Sequence, residues 1–165
     1  MRMIFLKNFN NKLYQGDAIK VLCNENDPNY SYRTKEIMTN FKKLIDSKML
    51  PCAEEMYLHS DNVNIGGTIV FGKISKFCKP KEALNTSLIH LHIANNVNVN
   101  YEGRLTSNES IIYGEYLRNN EKDRYIIVFS IESSHNMSQK RINSLLEEYE
   151  NAEKRLDNNL KLKKI

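Results

Sequence analysis

The chain has 165 residues, 41% of them hydrophobic and 27% charged, with a formal net charge of +4. These values suit one core-driven domain over residues 1–165 that buries roughly two thirds of the surface its unfolded form exposes, and they exclude a chain disordered throughout. The mild positive charge permits a nucleic-acid partner without requiring one.

Cys23, Cys52 and Cys78 form no Cys-x-x-Cys pair, which excludes a zinc ribbon or a dithiol redox motif. Each is expected to be reduced and to serve as a buried or half-buried small hydrophobe. The apolar run Met3 to Leu6 stops at Lys7, too short for a signal-peptide core, and no stretch approaches the roughly 18 apolar residues of a membrane span. The expected setting is the cytoplasm, of its own or a host cell, with no membrane partner. Asparagine-rich runs at 8–11 and 95–100 fit an AT-rich genome of viral or mobile-element origin.

In chain order, Met1 to Leu6 and Lys12 to Cys23, interrupted at Gly16-Asp17, read as strands, with a turn at Asn26-Asp27-Pro28-Asn29. Ile37, Met38, Phe41, Leu44 and Ile45 then repeat at the helical period and predict a shorter helix over about 33–47, ended before Pro51. From Met56 to Ile131 the period becomes two. Ile89, Leu91 and Ile93 alternate with His90 and His92, and Val97, Val99 and Tyr101 alternate with Asn98 and Asn100. With Thr68 to Ile74, Ser110 to Tyr116 and Tyr125 to Ile131, these segments predict an antiparallel, meander-like sheet of about 4–6 strands. Gly66-Gly67, Glu102-Gly103 and Asn119-Asn120 supply its turns.

The last element is an amphipathic C-terminal helix over about 137–160, whose stripe is Ile142, Leu145, Leu146, Tyr149, Ala152, Leu156 and Leu160. Asn136 followed by Gln139 has the form of a capping box, and Lys161, Lys163 and Lys164 suit the negative end of the helix dipole. The class is α+β, and a helix this long can overhang its sheet.

His90-Leu91-His92 is the sharpest local pattern. Strand side chains alternate, so the two imidazoles leave one face together and can chelate a divalent metal. The pattern resembles the HUH endonuclease family of replication-initiator and transposase nickases, in which a His-hydrophobic-His strand binds a metal and a helical Tyr attacks a DNA phosphodiester. The resemblance implies that Tyr149 would be the nucleophile, with Glu54, Glu55 or Asp61 as a third ligand. It also sets a geometric condition: Tyr149 and the histidines meet only if the last helix covers the histidine face. Asp27-Pro28-Asn29-Tyr30, after Leu13 to Ile19, is similar to segments of amino-methyltransferases, but the Asp-Pro-Pro-Tyr of that family is altered and no Gly-rich cofactor loop accompanies it.

Lys73, Lys76, Lys79 and Lys81, interleaved with Phe77, are candidates for nucleic-acid contact, and as edge-strand lysines they equally serve to block unwanted strand pairing. The leading expectation is a non-enzymatic interaction protein with no cofactor and no catalytic residue. It would engage a protein partner, a second copy of itself or nucleic acid through the basic segment and the C-terminal helix, with Tyr149, Leu156 and Leu160 at the contact. The alternative is a metal-dependent phosphodiesterase or HUH-like nickase using His90 and His92 with a divalent metal, and Tyr149.

Overall fold

The computed structural model describes residues 2–9, 12–15, 32–47, 49–53, 71–78, 80–93, 98–99, 105–120 and 123–162, and for 2–9, 12–15, 98–99, 105–106 and 162 it describes the backbone alone. Its elements are β1 (Arg2–Phe9), β2 (Lys12–Gln15), α1 (Tyr32–Asp46), β3 (Phe71–Lys76), a 3-10 turn (Lys81–Asn85), β4 (Leu88–Ile93), β5 (Asn98–Val99), β6 (Leu105–Thr106), β7 (Glu109–Arg118), β8 (Asp123–Ser133) and α2 (Gln139–Leu162). The turns expected at 26–29, at Gly66-Gly67 and at Glu102-Gly103 lie outside the described residues.

Six strands form one sheet in the order β2-β1-β8-β7-β4-β3, and β5 pairs with β6 in a separate ribbon. Strands β3, β4, β7 and β8 make the expected antiparallel meander, but β1 lies parallel to β8, with Arg2 beside Asp123 and Lys7 beside Val128. A period of two records which face a residue takes and is blind to strand direction, so the mixed seam left no trace in the pattern. Asn119 and Asn120, at the β7–β8 turn, have positive φ of 57° and 51°. Asparagine is the non-glycine residue best suited to that conformation.

The sheet is covered on both faces. Ile37, Met38, Phe41, Leu44 and Ile45 of α1 pack on Phe71, Ile74, Ile89, Leu91, Ile93, Ile111, Tyr113, Ile126 and Val128. On the opposite face Leu145, Tyr149, Ala152 and Leu156 of α2 pack on Leu88, Ile112, Tyr116, Tyr125 and Ile127. One buried ion pair lies on the α1 side: Arg124 meets Glu115, each side chain 1% exposed. Arg124 also donates to the Leu50 carbonyl (2.6 Å) and to that of Pro51, while Glu115 accepts from the Ala53 amide at 2.8 Å. The segment that follows α1 is thereby tied to the sheet, and the lone pairs and protons of the pair are satisfied, as a buried charge requires.

Helix α2 starts at Gln139, slightly later than the expected start at about 137. Ser138 is its cap, accepting from the Arg141 amide at 3.2 Å, whereas Gln139 turns along the helix to donate to Asn143 at 2.9 Å. Two arginines clamp it to the sheet. Arg141 joins Glu132 of β8 (2.6 Å) to Glu148 (2.7 Å), and Arg118 of β7 reaches Glu153 (2.9 Å) and Asp157 (2.7 Å). Leu156 is 2% exposed and Leu160 packs against the same cluster. Leu156 and Leu160, which a helix overhanging its sheet would leave bare, therefore pack on the protein's own sheet.

A buried histidine cluster as the candidate functional site

Strand β4 runs through the sheet between β3 and β7, with both of its faces covered by the two helical layers. Ile89, Leu91 and Ile93 face α1, so alternation sends Leu88, His90 and His92 to the α2 side. The antiparallel register puts Ser75 and Ile112 beside His90, and Ser110 beside His92. The result is a polar seam in an apolar setting. His92 is 0% exposed. The ring of Phe77 meets His90 edge-on at 4.9 Å, His90 meets His92 edge-on at 5.1 Å, and His135, in the turn between β8 and α2, stacks on His92 at 4.9 Å with an interplanar angle of 26°.

The hydrogen bonds fix the chemistry of His92. Its Nδ1 lies 2.6 Å from the Ser107 carbonyl oxygen, which only accepts, so Nδ1 carries the proton and Nε2 keeps its lone pair. The Ser107 hydroxyl points at the carbonyls of Ile93 (2.6 Å) and Glu109 (2.9 Å), pinning that residue. Ser110 Oγ lies 3.3 Å from the same Nδ1 and 2.9 Å from the Ser134 hydroxyl. Among the described residues nothing reaches His92 Nε2. It is buried without a hydrogen-bond partner, and so is Nδ1 of His90, whose Nε2 contacts Ser75 Oγ at 2.7 Å.

Charge on these rings is strongly disfavoured. Burial, then the neighbouring His92, His135 and Lys73, pushes His90 down to about 3. Burial holds His92 at about 4 against the opposing Ser107 bond, with His135 and Lys73 lowering it further. Both imidazoles are therefore neutral at physiological pH, the form in which histidine donates to a metal. A ligating histidine almost always gives its other ring N–H to a carbonyl or carboxylate, which is the arrangement of His92 and Ser107.

Tyr149 shares the covered face with the histidines but not their site. Its ring stacks on Tyr116 at 4.7 Å, its hydroxyl accepts from the Ser87 amide (3.2 Å) and donates to the Glu115 carbonyl (3.3 Å), and Tyr116 donates to the Tyr149 carbonyl at 2.9 Å. Ser87 precedes His90 by three strand residues, about 10 Å at ~3.3 Å per residue. Burial raises the Tyr149 phenol above its ordinary range. The covering helix thus meets the geometric condition for a shared site, but the Tyr149 hydroxyl is committed to backbone far from the imidazoles.

The remaining candidates are dispersed. Lys73 and Lys76 are half-buried on the edge strand β3, Lys81 is exposed in the 3-10 turn, and Lys79 lies outside the described residues. Glu54, Glu55 and Asp61 also lie outside them. Cys52 is half-buried as expected, whereas Cys78 is exposed, just past the end of β3. Ser75, Ser107, Ser110 and His135 also border the His pair, and no sequence motif marks them. Ser75 and Ser110 follow from strand register, whereas Ser107, between β6 and β7, and His135, in the turn after β8, are brought in by the tertiary fold. No family model matches the chain, and no curated protein or solved structure matches it.

Proposed function

We propose that this protein binds a divalent transition metal through His90 and His92 and acts as a metal-binding protein without a tyrosine nucleophile. The observation that supports this reading is the His92 Nε2 lone pair, fixed by the Nδ1–H bond to the Ser107 carbonyl and buried without a donor among the described residues. An acceptor left unsatisfied in the interior costs about 1–3 kcal/mol. A cation that takes the lone pairs of His92 and His90 removes that cost. The same site explains why two neutral imidazoles stand together in an otherwise apolar layer. Tyr149 contributes to the fold, with both of its hydroxyl bonds made to backbone.

The test is equilibrium dialysis of the metal-stripped full chain against zinc, with metal and protein measured in the retained fraction. One zinc per chain is expected, and His92→Ala is expected to weaken retention by more than the ~10–100-fold typical of losing an outer-shell partner. Wild-type protein that retains no zinc above a histidine-poor control would overturn the reading.

A further inference from the structure

We infer that His135 supplies a third imidazole to this site and that the site selects borderline divalent ions, zinc, cobalt(II), nickel and copper(II), over magnesium and calcium. This inference rests on the metal-binding reading of His90 and His92.

His135 is the exposed member of a continuous run of three rings, and it already lies in contact with His92. Its backbone is held over the site. The adjacent Ser134 amide donates to the Asn108 carbonyl at 3.1 Å, and the Ser134 hydroxyl meets that of Ser110, which borders His92. The His135 ring lies face to face with His92, with centroids 4.9 Å apart and an interplanar angle of 26°. Accordingly, no three His, Cys, Asp or Glu side chains stand in metal-holding geometry among the described residues. The side chain is exposed, so passing to another staggered rotamer requires no repacking of the core. Such a rotation would turn a stacking neighbour into a ligand and let the surface residue carry an ion toward the half-buried His90 and the buried His92.

The donor set dictates the class of ion. Hard ions such as magnesium and calcium require oxygen ligands, whereas imidazole suits zinc, copper, nickel and cobalt. Glu132, which faces Ser110 across the β7–β8 ladder, is engaged by Arg141 and Ser130.

The experiment titrates cobalt(II) into the metal-stripped full chain of the wild type, His92→Ala, His135→Ala and His135→Cys, followed by zinc or excess magnesium as competitor. Expected are visible d–d bands of low-coordinate cobalt in the wild type, abolished by zinc and untouched by magnesium. His135→Ala is expected to bind about tenfold or more weakly with fainter bands, and His135→Cys to restore binding with an added thiolate-to-cobalt charge-transfer band. Equal affinity and spectrum in His135→Ala and wild type, with binding lost in His92→Ala, would overturn the role of His135 while leaving the His90–His92 reading intact. Displacement of cobalt by magnesium would overturn the selectivity. Absence of cobalt and zinc binding in the wild type would remove the underlying reading and this inference with it.

Discussion

The Nδ1 of His92 donates to the carbonyl oxygen of Ser107 across 2.6 Å, and this one bond decides which nitrogen of a fully buried imidazole is left bare. In nitrogen-resolved NMR of the metal-free protein near neutral pH, His92 is expected as the neutral Nδ1–H tautomer, with Nε2 resonating as an unprotonated nitrogen. Observation of the Nε2–H tautomer would remove the preformed donor.

Stability of the metal-free protein is expected to fall as pH is lowered. The folded rings of His90 and His92 titrate at about 3 and about 4, below the roughly 6.5 of an unfolded histidine. Between those values the unfolded chain holds protons that the folded chain does not, so acid favours unfolding. The loss begins near pH 6.5 and approaches about 1.4 kcal/mol per pH unit for each histidine, levelling only below the folded values. Urea unfolding at a series of pH values checks this, with a His90→Gln/His92→Gln double variant as the reference. An identical slope in the variant would mean that other groups carry the dependence.

Tyr149→Phe removes a hydroxyl that bonds the Ser87 amide and the Glu115 carbonyl. A loss of about 1–2 kcal/mol in unfolding free energy is expected, with zinc retention unchanged. A variant that keeps its stability but loses metal would place the phenol in the site after all.

Gly114 lies opposite Leu88 on β7, under the helix. A Cβ there would come within 2.8 Å of the Tyr116 hydroxyl, 2.9 Å of the Tyr149 ring and 3.0 Å of the Phe129 ring. Gly114→Ala is therefore expected to cost about 1–3 kcal/mol by overpacking, read as a lowered denaturation midpoint. Unchanged stability would show that the two tyrosine rings yield at no cost.

Glu115→Ala strips the partner from Arg124 in the interior and leaves the Ala53 amide without its acceptor. About 3–5 kcal/mol of destabilisation is expected for breaking such a buried pair, together with faster amide exchange at Ala53. Exchange at Ala53 as slow as in wild type would indicate that the segment is held by packing alone.

The sequence shows the two helices and the meander plainly, because each is written in a period that survives burial. The apolar face of α1 appears at 33–47 against an observed Tyr32–Asp46, and that of α2 at 137–160 against Gln139–Leu162. The cap shifts because Ser138 sits at the start of the helix, where its oxygen reaches a free amide, and Asn136 lies two residues too early. The environment of the histidines is less legible. Alternation of Ile89, Leu91 and Ile93 with His90 and His92 reads as one dry and one wet face, but α2 covers the second face of the sheet and turns a polar stripe into a buried seam. Long-range packing decides that, as it decides that Leu156 and Leu160 serve the core. The contacts from Ser107 and His135 likewise come from chain segments that no local pattern connects to β4.

Metal capture by His92 is tested by following its ring nitrogens by NMR while zinc is added to the metal-stripped protein. The Nε2 resonance is expected to move from the unprotonated to the metal-bound range, saturating at one zinc per chain, with the Nδ1–H bond to Ser107 retained. An Nε2 resonance that stays in place while zinc binds elsewhere, or not at all, would contradict it.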